Sequence, residues 1–92
     1  MNTVKERKRS ALGWVLKEKG FREALYALPN NQQKQAREEI SDLCYWTQAS
    51  FYTRSTGKSM FRIFEVRVIE KYFAERGLDA WTGQMISNSF NN

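Results

Sequence analysis

The chain has 92 residues and a net charge of +5, and 41% of it is hydrophobic and 14% aromatic. That length holds one small domain with one core, and the aromatic content excludes a disordered chain. No apolar run approaches the roughly 20 residues that span a bilayer. The basic start from Lys5 to Arg9 leads into no long apolar stretch with a cleavage site, so no signal peptide is expected.

Residues from Thr3 to about Lys19 favour helix, with Ala11, Leu12, Val15 and Leu16 as an apolar stripe, Trp14 at its edge and charges opposite. Gly20 interrupts the pattern, either as a stop or as a tolerated glycine within a longer helix. Phe21, Ala24, Leu25 and Leu28 then recur at helical spacing until Pro29, because the residue before proline avoids helical geometry. Asn30 or Asn31 can cap the next helix, whose inward face is Ala36, Ile40, Leu43 and Cys44.

A break at Tyr45 and Trp46 precedes Thr47, a suitable N-cap for a short helix running to about Ser55. Met60 to Arg76 is harder to assign, since Phe61 to Ile69 is rich in β-formers. Helix is expected there because the pattern continues to Ala74 before Gly77, and a lone strand would lack a partner. Leu78 to Ile86 adds a turn through Trp81, and Ser87 to Asn92 reads as a disordered tail. The division expected is a basic helix over 1–19, a helical domain over 20–86 and the tail over 87–92.

The informative segment is Ala36 to Gly57, AREEISDLCYWTQASFYTRSTG. It reads as a helix, a three-residue break, and a second helix holding one inward aromatic, Phe51, which is the pattern of a helix-turn-helix. Ile40 and Cys44 would close the first helix onto Phe51, with the small Ser41 at the closest approach and Trp46 folding into the core. The outward face of the second helix then offers Thr47, Gln48, Ala49, Tyr52 and Thr53 as base-reading residues. Gln can bind adenine through two hydrogen bonds, and alanine or the threonine methyl can meet the thymine methyl. Ser50, Arg54, Ser55, Lys58 and Arg62 are the candidates for flanking phosphates.

On these residues the segment resembles the lambda repressor/Cro-like helix-turn-helix family. Ile40, Ser41, Cys44, Trp46, Thr47, Phe51 and the pair Gly57-Lys58 take the family's places in register. The resemblance covers about Phe21 to Leu78 and implies an all-α, compact bundle of about five helices, with the basic N-terminal helix as an extension. It implies a small transcriptional regulator that binds double-stranded DNA. Two positions depart from the pattern. Tyr45 stands at the turn position usually held by glycine, where a left-handed backbone is common. Arg54 stands where an apolar residue is usual, and its stem could cross the core edge to reach a phosphate.

The charge distribution agrees with a polyanionic partner. Residues 1 to 22 hold seven basic side chains against two acidic ones, and residues 43 to 64 hold Arg54, Lys58 and Arg62 with no acid. Lys5, Arg7, Lys8 and Arg9 could lie along phosphate or simply solvate a helix face; a membrane-surface role through Trp14 is a weaker option. No enzyme, cofactor or metal is expected. There is no histidine to serve as base or ligand, and Cys44, the sole cysteine, falls at a core position as a packed thiol. A single cysteine also makes no internal disulfide, which fits the cytoplasm.

Phe61, Phe64, Tyr72, Phe73 and Trp81 are mostly core by default, but they outnumber what one helix face can bury, so part of this face, with Trp81 and Met85, could form a homodimer contact. The alternative to DNA binding is a protein-interaction domain using the same hairpin as scaffold, which would carry an apolar patch on the second helix.

Overall fold

The computed structural model describes residues 13–86. Helices dominate: α1 (Arg22–Ala27), α2 (Asn30–Cys44), α3 (Gln48–Ser55) and α4 (Ile63–Ala74), joined by a ribbon of two short strands, β1 (Trp14–Val15) and β2 (Phe61–Arg62). No helix among the described residues is long and apolar enough to cross a membrane.

The ribbon corrects the sequence reading at both ends. Trp14 and Val15 are extended and pair antiparallel with Arg62 and Phe61, so no helix runs through residues 14–15. Leu16, expected on an inward stripe, is exposed. Residues 16–19, also expected to be helical, form coil and turn; the rest of the expected N-terminal helix, with Lys5 to Arg9, Ala11 and Leu12, lies outside the described residues, as does the tail 87–92. The β-formers at Phe61 and Arg62 therefore do have a strand partner. Helix begins only at Ile63, where the Glu65 carboxylate accepts from the Arg62 amide at 2.8 Å and satisfies a donor at the helix start.

Proline sets the α1–α2 junction. Leu28 is extended before Pro29 (ψ 153°), as crowding by the proline ring requires. Pro29 itself takes the cap position of α2, which begins at Asn30, so neither Asn30 nor Asn31 caps it with a side chain. Gln33 instead reaches back and donates to the Leu28 carbonyl at 2.9 Å.

The core collects side chains from all four helices, from β2 and from the segments that flank them. Phe21, Phe61, Phe73, Ile40 and Ile69 are fully buried, joined by Ala24, Leu25, Leu28, Ala36, Cys44, Phe51, Tyr72, Leu78 and Ala80. Phe61 and Phe73 thus sit inside the domain, and Trp81 packs on Phe61 at 5.5 Å between centroids. Of the aromatics expected at a dimer contact, Phe64 remains exposed, as does Met85. A further core expectation fails: Leu43 faces solvent. Residues 78–86 close back on themselves, with Leu78 paired to Met85 and the Trp81 indole donating to Glu70 at 2.8 Å.

A polar latch holds α2 to α4 outside this core. The Tyr72 hydroxyl donates to Glu39 at 2.6 Å, and the Arg76 guanidinium lies 3.6 Å from the Tyr72 ring centroid and 3.7 Å from the same carboxylate. The Tyr72 hydrogen bond, then that from Gln35, holds the Glu39 carboxyl below its ordinary value of 4.5. Burial, then the bond to Glu39, pushes the Tyr72 hydroxyl from 10.0 up to about 12. The lowered Glu39 value means its stabilisation is present above pH 4.5 and lost as the pH falls below it. The raised Tyr72 value means its share is present below pH 10.0 and lost on the way to about 12. Thermal melts across pH should therefore show Tyr72→Phe losing less stability than the parent chain in both limbs. Parallel curves for the two proteins would rule the latch out.

Candidate nucleic-acid interface

The candidate site is the pair α2 and α3 with the turn between them. α2 ends in the two-bond Schellman arrangement: Trp46 N–H donates to the Ser41 carbonyl at 2.9 Å and Tyr45 N–H to Asp42 at 3.4 Å. This ending requires a left-handed residue, and Tyr45 supplies it at φ 59° and ψ 42°. The turn thus keeps the shape glycine would give, with the bulky ring left 87% exposed. Thr47 then caps α3, its hydroxyl oxygen accepting from Ser50 N–H at 3.1 Å.

Packing fixes which face of α3 looks out. Phe51 is buried against Phe21 at 5.3 Å and Trp46 at 6.3 Å, both edge to face. Trp46 is half-buried and stacks on Phe21 at 6.1 Å. With Phe51 inward, Thr47, Gln48, Ala49 and Tyr52 are exposed and Thr53 is half-buried, its hydroxyl donating to the Ser50 carbonyl at 3.1 Å. An open groove of about 380 Å³ lies between α2 and α3, bordered by Lys34, Arg37, Glu38, Asp42 and Gln48 above Trp46 and Phe51. Its rim carries two cations and two carboxylates and so has no net charge.

The candidate phosphate ligands divide. Lys58 and Arg62 are exposed, with Lys58 Nζ 5.5 Å from the Tyr52 ring centroid and the Arg62 guanidinium 4.6 Å from that of Trp14. Ser50 is half-buried and its hydroxyl lies 3.2 Å from that of Thr47. Ser55 and Arg54 do not fit the role. Ser55 is buried and its hydroxyl donates to the Tyr52 carbonyl at 3.0 Å. Arg54 turns inward: its guanidinium lies 5.3 Å from the Trp46 ring centroid and its Nε 3.9 Å from Glu65, with no hydrogen bond to that nitrogen among the described residues.

Glu65 was not singled out by the sequence, and it organises the inner side of the site. It is 4% exposed and accepts from the Trp46 indole at 2.9 Å as well as from the Arg62 amide. One carboxylate thereby ties the turn, the start of α4 and the Arg54 of α3 together. Cys44 lies beside this network, and burial, then the charge of Glu65, pushes its thiol up to about 12. Such a thiol stays protonated and packs as a small apolar group.

A second feature missed by the sequence is the turn before α1. Gly20 (φ 64°) meets the Arg54 and Ser55 carbonyls, and Gly57 (φ 82°) meets the Glu18 carbonyl, each so closely that a β-carbon would overlap. Residues 17–20 are thus pressed onto the C-terminal end of α3. The bare glycine at 20, following Lys17 and Lys19, was the available signal, and a stop to a helix was the simpler account of it.

Comparison of the chain with protein-family models, curated proteins and solved structures finds no match.

Two substitutions test this account of the site. Glu65→Ala removes the acceptor of two hydrogen bonds and strands Arg54, so chemical denaturation should register a loss of about 3 kcal/mol. Tyr45→Gly should gain about 0.5–1 kcal/mol, the left-handed strain relieved less the added freedom of the unfolded glycine. A loss at that position would show that the Tyr45 ring makes a stabilising contact.

Proposed function

We propose that this protein is a sequence-specific DNA-binding protein, a small transcriptional regulator that inserts α3 into the major groove as lambda repressor/Cro-like domains do. The observation that carries the reading is the inward set of Phe51, which leaves Gln48, Ala49 and Tyr52 of the helix and Thr47 at its cap exposed to solvent. A recognition helix needs that combination of a buried anchor and an uncommitted polar face. Gln48 reads adenine through its amide, Ala49 meets a thymine methyl, and Thr47, Tyr52 and Thr53 supply further edge contacts.

Affinity on this reading comes from the flanks, where Lys58 and Arg62 release counterions from phosphate. Arg54 contributes by holding α3 on Glu65 rather than by touching DNA. The competing protein-interaction reading calls for an apolar patch on the outward face of α3. That face instead sets one exposed ring, Tyr52, among an amide, a methyl and a hydroxyl, which favours base edges over a greasy partner.

Selection from random duplex DNA at two salt concentrations tests the proposal. Enrichment of one defined motif at both is expected; no enrichment at either gives the interaction reading the advantage. On the enriched site Gln48→Ala should cost about 1–3 kcal/mol of binding and on random DNA almost nothing. Equal losses on both would remove Gln48 from base reading.

A further inference from the structure

We infer that the Lys17–Gly20 turn is a second DNA-backbone contact, a phosphate-binding edge that Lys19 forms with Lys58 at the C-terminal end of α3. This rests on the reading of α3 as the helix that meets the duplex. The starting point is a mismatch of charge. The α2–α3 groove is electrically balanced and Arg54 is spent on Glu65, so the cations needed for a polyanion must lie elsewhere.

The glycine contacts show where. Gly20 lies against the last carbonyls of α3, and Gly57, just past that helix, lies against Glu18 and Lys17. Lys19 sits between the two residues, Glu18 and Gly20, that make these contacts, and it is exposed. Lys58 follows Gly57 directly and is held by its own amide, which donates to the Thr53 carbonyl at 2.7 Å.

Two exposed lysines from distant parts of the sequence are therefore attached to backbone at one helix end, the Lys58 Nζ lying 5.5 Å from the Tyr52 ring centroid. The negative end of the α3 dipole favours cations there. Lys17 is placed differently, its Nζ lying 4.9 Å from the Trp81 ring centroid. Glu18 is the carboxylate of the same turn, and it is exposed.

The ligand class is the DNA phosphodiester backbone. A recognition helix reads bases along its length while its ends approach the sugar-phosphate strands that border the groove. Cations rigidly attached to one such end fix register without reading sequence. The turn is suited to that because it is seated on α3 by backbone contacts rather than by flexible side chains.

The test is a fluorescence anisotropy titration of the full chain on a mixed-sequence duplex, repeated from about 50 to about 200 mM salt. Lys19→Gln should reduce the slope of log affinity against log salt by about 0.9, and Lys58→Gln by a similar amount. Lys71→Gln, on α4 beside Leu43 and Val68, should leave the slope at the parent value. Gly57→Ala pushes the turn off α3, so adding Lys19→Gln to it should change the slope no further. If Gly57→Ala fails to fold, the single Lys19→Gln slope still decides. An unchanged slope for Lys19→Gln, with Gln48→Ala still losing affinity on the selected site, overturns the role of the turn alone. Absence of salt-dependent binding by the parent chain overturns this inference and the recognition reading together.

Discussion

Phe21 sits where α1 begins, fully buried, and its ring touches four others: Phe51 of α3, Trp46 of the turn, Phe61 of β2 and Phe73 of α4, at centroid distances of 5.3 to 6.3 Å. Few contacts in so small a chain reach so many elements. Removing a ring enclosed in this way costs about 3–5 kcal/mol, which approaches the whole stability of a small domain. The site depends on it directly. Phe51 is held inward by edge-to-face contacts with Phe21 and with the Trp46 that stacks on it, and the orientation of α3 follows from them. The outward polar surface is the remainder left after an apolar requirement has been met.

The second constraint is electrostatic and lies at the other side of the same turn. Glu65 is a buried carboxylate with two hydrogen-bond donors and one guanidinium around it. A buried charge is tolerable only when so satisfied, which explains why Arg54 turns from solvent to meet it. An apolar residue at position 54 would pack as well but would leave the carboxylate without a counter-charge. The inward arginine at position 54 and the buried carboxylate at position 65 are thus one feature seen from two helices. Tyr45 is a departure of another kind: the backbone takes the left-handed shape regardless, because Ser41 and Asp42 carbonyls must be satisfied at the helix end.

The helices were largely legible because each carries a strong local signal. Pro29 marks the junction of α1 and α2, Thr47 caps α3, and Ile69 and Phe73 keep helical spacing through α4. The outward face of α3 followed from the single inward position at Phe51. The ribbon was not legible, since two-residue strands show no alternation and Trp14 pairs with Arg62 across most of the chain. The β-propensity of Phe61 and Arg62 was a true local signal outweighed by the longer helical run behind it. Leu43 was misplaced for a related reason: it continues an apolar spacing at the end of its helix, where the core no longer faces it. Ser55 and Arg54 were misplaced because residue type names the chemistry available, whereas burial decides where it is spent.

On the proposed reading, these constraints together separate the two tasks that a DNA-binding surface must perform. Sequence reading requires groups that discriminate by hydrogen bond and shape, and a strong charge among them would bind any duplex equally. The inward turn of Arg54 leaves α3 with an uncharged outer face of amide, methyl, hydroxyl and phenol. Affinity requires cations, and on the same reading these are Lys58 and Arg62, past the helix end, and Lys19 in the turn that Gly20 and Gly57 seat against it. The close backbone approach at those two glycines matters more than any one lysine, because it carries positive charge from the start of the chain to the flank of a helix assembled much later in the sequence. A β-carbon at either position would open that joint, and the cations would then be attached to the domain without being aimed at anything.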